Sequence, residues 1–206
     1  AEAAALASPA SVPAAARAMP SSLRCRAPIM PDAILLELPD SEPSIDGSVF
    51  RAPGSVVAGD VRIGSESSIW YNVVIRADVS PVRIGARTNI QDGSILHADP
   101  GFPCIVGDDV TVGHKAIVHG AKVGNGALIG MGAILLNGAE IGEEAIVAAG
   151  AVVTEGTIVA PGTLVAGIPA KEKRVLDEDA RQMGRNGAAG YVRNAQLHQR
   201  AVPAEE

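Results

Sequence analysis

The sequence predicts an all-β parallel solenoid, about seven triangular coils long, with a C-terminal α-helix. Three observations predict it. Aliphatic residues recur every six positions from Ile45 to about Ala170, glycine often follows them directly, and aromatics make up only 2% of a chain that is 47% hydrophobic. A period of six is neither a helix nor a simple alternating strand. It fits a short strand plus a corner, with one aliphatic per strand pointing inward and small residues turning the corner. Three such segments close one coil, and each coil pairs with its neighbours as in a parallel sheet. An ordinary glycine-rich α/β domain would not hold so many matches in one frame.

Residues 1–31 are Ala-, Pro- and Ser-rich, and Pro9, Pro13, Pro20 and Pro28 exclude a continuous helix. No apolar h-region precedes a cleavage site, which argues against a secretory signal. Arg17, Arg24 and Arg26 with a single early acid, Glu2, leave three readings: a disordered tail, an organellar transit peptide, or upstream sequence before Met30 that is foreign to the working protein.

Residues 32–170 form the solenoid domain. Its inward frame opens at Ile45 and, imperfectly, Arg51. It continues through Val57, Ile63, Ile69 and Ile75; Ile84, Ile90 and Leu96; Val106, Val112 and Val118; then Val123, Ile129, Leu135, Ile141, Val147, Val153, Val159 and Val165. Three residues are added between Ile75 and Ile84, four are added between Leu96 and Val106, and one is missing between Val118 and Val123. The frame ends at Gly167-Ile168-Pro169-Ala170-Lys171.

Residues 171–206 form a C-terminal helical segment and tail. Charged, helix-favouring sequence runs from Lys171 to Met183, with Asp177, Glu178 and Asp179 opening a helix. Gly184 and Gly187 are expected to break it from a second short helix, Ala188 to about Arg200. Such a segment covers apolar side chains and unpaired strand edges at the end or flank of a solenoid.

Composition excludes several function classes. A net charge of −6 without a Lys/Arg-rich patch argues against nucleic acid. No run of 18 apolar residues spans a membrane. Cys25 and Cys104 are too few and too far apart for a disulfide framework, so a reducing, cytoplasmic setting is expected.

The frame also says where the histidines point. Leu96 and Val118 begin segments three apart, so His97 and His119 should stack on one face, one coil apart, with Arg76 below them. Stacked coils are spaced by about 4.8 Å, close enough for two ligands on one metal. His114 falls in a different column, around a corner, with Asp92 below and Met131 above. A metal held by all three would then sit between two copies of the chain, in a heterologous contact that closes into a ring about a three-fold axis. Three His ligands leave one position open for water, as in catalytic zinc sites. Three unrelated surface histidines, or a metal that only staples a trimer, are the competing readings.

Other signals have plain readings. Gly124, Gly126, Gly130 and Gly132 are corner residues, not a phosphate loop. His198 is expected to be solvated on the tail helix, and Cys104 to be a small packing residue. Trp70 and Tyr71 are expected at the outer surface or an interface, with Tyr71 lining the site as the lesser alternative.

The strings Arg76-Ala77-Asp78, Thr88-Asn89-Ile90-Gln91-Asp92, His97, Val112-Gly113-His114, His119-Gly120 and Gly130-Met131-Gly132-Ala133 resemble the gamma-class carbonic anhydrase family, over roughly residues 45–200. The resemblance implies a left-handed parallel β-helix assembled as a homotrimer. It makes His97, His114 and His119 the metal ligands, shared across the subunit interface. It places Gln91 and Asn89 in the catalytic site and Tyr191 as a late tyrosine that reaches it. Arg76 and Asp78 match an intersubunit ion pair, and Asp92 an interface acid. The implied cofactor is Zn2+, with Fe2+ or Co2+ tolerated by the same ligands. The implied reaction is reversible hydration of CO2 to bicarbonate by a zinc-bound hydroxide.

Two departures stand out. Ala77 replaces the family's usual glycine. The segment Ala98 to Cys104 is short, with Asp99 its one acid, where the founding type carries an acidic loop that moves protons. Low or buffer-limited activity is therefore expected. Relatives with short loops include some associated with acyl-CoA thioester metabolism, and acyltransferases share the scaffold and the exit sequence Gly-x-Pro-Ala-Lys. The alternatives are thus an acyl-CoA thioesterase or acyltransferase, or a metal-binding assembly protein with little activity.

Overall fold

A computed structural model describes residues 32–201. The expectations for residues 1–31 lie outside the described residues.

Every sixth residue reaches the axis because most strands are only two or three residues long before the chain turns. Ile69, Ile75, Ile90, Leu96, Val112, Val118, Ile129, Leu135, Val147 and Val153 are all fully buried. A second inward position follows four residues after the aliphatic one. It holds Ala116, Ala127, Ala133, Ala139, Ala145 and Ala151, also fully buried. Branched aliphatics on the flats and alanines near the corners fill a narrow prism, so no aromatic is needed inside it. Corners require left-handed backbone; Gly132 takes it without strain at φ 67°, while Lys115 takes it one coil below at φ 57°.

The result is a parallel β-solenoid of about seven turns with one C-terminal helix. The first face stacks the strands Ile95–His97, Ile117–His119, Ile134–Leu135 and Val152–Val153. The second stacks Cys104–Val106, Lys122–Val123, Glu140–Ile141 and Ile158–Val159. Two long strands, Val56–Ile63 and Val74–Ile84, join these faces around a corner. The three residues added after Ile75 are thus absorbed into a continuous strand. The third face stacks Phe50–Arg51, Ser68–Ile69, Asn89–Ile90, Thr111–Val112, Leu128–Ile129, Ile146–Val147 and Thr163–Ala166. Arg51 keeps register with Ile69 but lies exposed near the open end.

The C-terminal segment differs from expectation in two ways. Lys171–Val175 is a strand, not helix; it pairs antiparallel with Thr163–Ala166 and so covers an edge that would otherwise be unpaired. The helix is single and continuous, Glu178–His198, and runs through Gly184 and Gly187. Asp177 caps it by accepting from the Ala180 amide at 2.9 Å. Ala180, Gly184, Ala188 and Ala195 are its buried residues. The glycines permit close approach: a Cβ on Gly184 would lie 3.0 Å from the Gly126 carbonyl oxygen. Arg185 reaches Glu144 on the solenoid and Glu178 on its own helix. No helix among the described residues is long and apolar enough to cross a membrane.

Four of the chain's five aromatics gather under this helix. Trp70 packs edge-on against Phe50 at 5.3 Å, Tyr191 at 5.1 Å and the His198 ring at 4.8 Å between centroids. His198 therefore is not simply solvated: its Nδ1 lies 2.9 Å from the Tyr71 hydroxyl. Trp70 is buried beneath the helix rather than on an outer surface. Tyr71 is taken up by His198.

Candidate metal centre

The stacked column forms as the period requires. Arg76, His97 and His119 are in direct register on consecutive coils of the first face. Their side chains leave the prism because Ile75, Leu96 and Val118, one residue earlier, point inward. His97 Nδ1 and His119 Nε2 face each other at 3.0 Å.

The surrounding hydrogen bonds fix both imidazoles. Asp78 accepts a hydrogen bond from Arg76, and its Oδ1 lies 3.2 Å from His97 Nε2. Partial burial works against the Asp78 charge, but its own backbone amide, Arg76 and His97 outweigh this and hold the carboxyl below its ordinary range. An ionised Asp78 only accepts, so His97 carries its proton on Nε2 and keeps a lone pair on Nδ1. Asn137, one coil above, donates from Nδ2 to Asp99 Oδ2 at 2.8 Å. That leaves its Oδ1 towards His119 Nδ1 at 3.0 Å. His119 therefore carries its proton on Nδ1 and a lone pair on Nε2. In these tautomers both facing nitrogens carry lone pairs, which a shared metal ion, or one added proton, would satisfy.

The donor set fits a metal. Two imidazoles on a tetrahedral ion, each at ~2.0–2.1 Å, stand about 3.3 Å apart. Opening the 3.0 Å gap by a few tenths of an ångström is a small side-chain motion. Second partners such as Asp78 and Asn137 are what metal-ligating histidines use to fix ring orientation.

His114 lies around the corner, as the column reading requires. Its Nδ1 is 2.8 Å from Asp92 Oδ2, and the Gly132 amide donates to its carbonyl in the next coil. It is not in the group of donors formed by His97, Asp99 and His119, the one such group among the described residues whose ligand atoms all lie within 4.8 Å of one another. Asn89 and Gln91 are buried beside His114, not beside the other two. Gln91 Nε2 donates to Asn89 Oδ1 at 3.0 Å, and Gln91 Oε1 accepts from the His114 amide at 3.2 Å. Asn89 Nδ2 donates to Thr111 Oγ1 at 2.9 Å. Tyr191 comes to this cluster from the helix; burial, then the charge of Asp92, raises its phenol above the ordinary value.

The chain thus carries two clusters of candidate site residues on different faces. Arg76, Asp78, His97 and His119 form the first; Asn89, Gln91, Asp92, His114 and Tyr191 form the second. Beside His114 runs an apolar groove of about 400 Å³, walled by Leu128, Met131, Ile146 and Leu164. Cys104 is no rival ligand, since full burial pushes its thiol up to about 12. Asp99 and Asn137 were not anticipated as site residues. Asp99 was visible as the one acid of the short loop. Asn137 gave no sequence signal beyond lying one residue past the column position of Leu136.

Known proteins agree with this scaffold. The family model described as bacterial transferase hexapeptide (six repeats) matches residues 120–155. A Geobacillus kaustophilus protein named carbonic anhydrase is 56% identical over 81 residues, 39% of this chain and 44% of the relative. Gamma carbonic anhydrase 2, mitochondrial, of Arabidopsis thaliana is 44% identical over 95 residues, 43% of this chain and 34% of the relative. The chain spans half or less of the length of these curated relatives. A solved Bacillus cereus protein described as a candidate acetyltransferase is 45% identical, with a TM-score of 0.80 over 81% of this chain and 97% of that one. A hexapeptide transferase family protein from Anaplasma phagocytophilum is 36% identical, with a TM-score of 0.77 over 80% and 97%. By the repeat and the extent of the two structural matches, the chain belongs to the hexapeptide-repeat proteins, and over the shared segment several of its curated relatives are named carbonic anhydrases, the Arabidopsis one gamma-class.

Proposed function

We propose that the chain hydrates CO2 reversibly to bicarbonate at a zinc centre shared between copies in a homotrimer. The observation that carries this is the convergence of His97 Nδ1 and His119 Nε2, stacked on adjacent coils and 3.0 Å apart. His114 of a second copy is the third ligand, brought by packing the third face of one protomer against the first face of the next. A bound divalent metal supplies Lewis acidity that lowers the pKa of a coordinated water from ~15.7 to ~7.

The protein's own groups have separable roles in this reading. Asp78 and Asn137 fix the two stacked imidazoles. Asp92 takes the His114 Nδ1 proton and leaves Nε2 for the metal. Gln91 has a second Nε2 hydrogen beyond the one given to Asn89, available to orient a carboxylate-like oxygen. Zinc suits three imidazoles; Fe2+ and Co2+ accept the same set.

The test is CO2 hydration by the zinc-loaded chain, measured against imidazole buffer concentration, with His119→Ala as control. Buffer-dependent activity lost in the variant is the expected result. Full activity in the metal-stripped protein would sink the reading.

One observation favours a second reading. The groove beside His114 is larger and more apolar than CO2 needs, and any part of it that the ring contact leaves open would accept an acyl chain. Hydrolysis of acyl-CoA thioesters at the same centre is the alternative, with acyl transfer behind it. Thioester turnover that exceeds CO2 hydration in one preparation would decide for it.

A further inference from the structure

We propose, resting on the shared-metal reading above, that Asp99 is itself a metal donor, so that His97, Asp99 and His119 form a three-donor site within one protomer. The family resemblance supplies three histidines and assigns nothing to this carboxylate. The geometry does. Asp99 Oδ1 lies 3.9 Å from His119 Nε2, and the ligand atoms of the three residues are mutually within 4.8 Å.

The hydrogen-bond network makes the convergence specific. Asn137 Nδ2 holds Asp99 Oδ2, which leaves Oδ1 as the oxygen nearest His119. Asn137 Oδ1 takes the His119 proton on Nδ1, so His119 Nε2 has none to offer Asp99. His97 has spent its proton on Asp78. In the tautomers these contacts select, the three donor atoms lie within 4.8 Å of one another with no proton between them.

The loop holds the carboxylate there. The Phe102 amide donates to the Asp99 carbonyl at 2.9 Å, closing a tight turn through Gly101 at φ 83°. A freely solvated acid would have neither this backbone closure nor the amide of Asn137. Two imidazole nitrogens and one carboxylate oxygen are donors that zinc and cobalt both accept.

Two consequences follow. A single protomer can capture the metal before assembly. When His114 of a second copy joins, four protein donors are present, the count of a closed site rather than one with an open position. Asp99 is then the group that decides whether a position is left for water.

Cobalt(II) is the probe. The full chain, Asp99→Asn, Asp99→Cys, His114→Ala, the double variant His114→Ala/Asp99→Asn, and His97→Ala are stripped of metal and titrated with Co2+ against a competing chelator. Visible and near-ultraviolet spectra are recorded. Asp99→Asn is expected to bind Co2+ about 10-fold or more weakly, the scale by which ligand-shell changes act, and to shift the visible bands. Asp99→Cys is expected to show sulfur-to-cobalt charge transfer. His114→Ala is expected to retain Co2+, and the double variant to lose a further ~10-fold or more. Unchanged affinity and spectra on Asp99→Asn in both backgrounds, with no charge-transfer band from Asp99→Cys, would overturn the proposal and leave the histidine site standing. Equal, weak binding by the unaltered chain and His97→Ala would overturn the metal reading itself.

Discussion

Asn137 is a short side chain that serves two partners at once. Its amide nitrogen anchors Asp99 and its oxygen takes the His119 proton. Asn137→Ala removes both contacts without touching a proposed histidine ligand. The expected result is a loss of zinc affinity of ~10–100-fold, read by chelator competition. The partial legibility of this site has a physical cause. His97 and His119 could be placed because both follow an inward aliphatic by one residue in an unbroken column. Asp99 lies just where four added residues break the frame, so its direction depended on a turn that the period does not describe. Asn137 could not be read at all, because its role comes from the coil below it. The alanine at position 77 is explained by its backbone, which is not left-handed, whereas Gly59, paired with it one coil below, has φ 80° and no room for a Cβ.

The C-terminal helix shows where propensity and packing disagree. A glycine inside a helix costs about 1 kcal/mol relative to alanine, so Gly184 and Gly187 read as breaks. In the structure Gly184 sits against the Gly126 backbone, where any larger side chain would push the helix off the solenoid. Gly190 has no such neighbour; the nearest atom to a Cβ there is 3.9 Å away, on the Arg193 side chain. Gly190→Ala should therefore stabilise the chain by up to about 1 kcal/mol. Gly184→Leu should destabilise it by roughly 1–3 kcal/mol through overpacking. Thermal melts of both variants check the pair, and equal shifts would contradict the docking described. The strand Lys171–Val175 was hidden for a related reason. Its Lys and Glu residues favour a helix, but the open edge of Thr163–Ala166 supplies a stronger demand for a partner.

At the scale of the molecule, the solenoid presents two faces with complementary deficits. Val74 and Ile95 are exposed on the first face and continue upward through Ile117, Ile134 and Val152, in register on successive coils. The third face carries Leu128, Ile146 and Leu164 in register, with Met131 60% exposed beside them. Each ladder runs next to one half of the proposed metal site. Burying one against the other in a head-to-tail ring covers both and completes the donor set. Ile95→Lys with Ile117→Lys should reduce the particle to one chain and weaken zinc binding without abolishing it, since His97, Asp99 and His119 remain together, while the circular dichroism of the solenoid persists. Light scattering with metal analysis checks this; a full-sized particle with reduced zinc would argue against the ring. The coil number, the inward residues and the two-column placement of the histidines were all legible, because a solenoid repeats one local rule. The helix seat and the short loop were not, because each is made once.

The aromatic cluster gives this protein a built-in optical label. Trp70 is the chain's one tryptophan, and it lies under the last turns of the helix, edge-on to Tyr191 and His198. The prism itself contains no competing indole. Emission from Trp70 therefore reports the seating of the helix, and the far-ultraviolet signal reports mainly the coils. Lifting of the helix would redden the emission while the β signal stays in place, so the two motions can be followed separately in the same unlabelled sample.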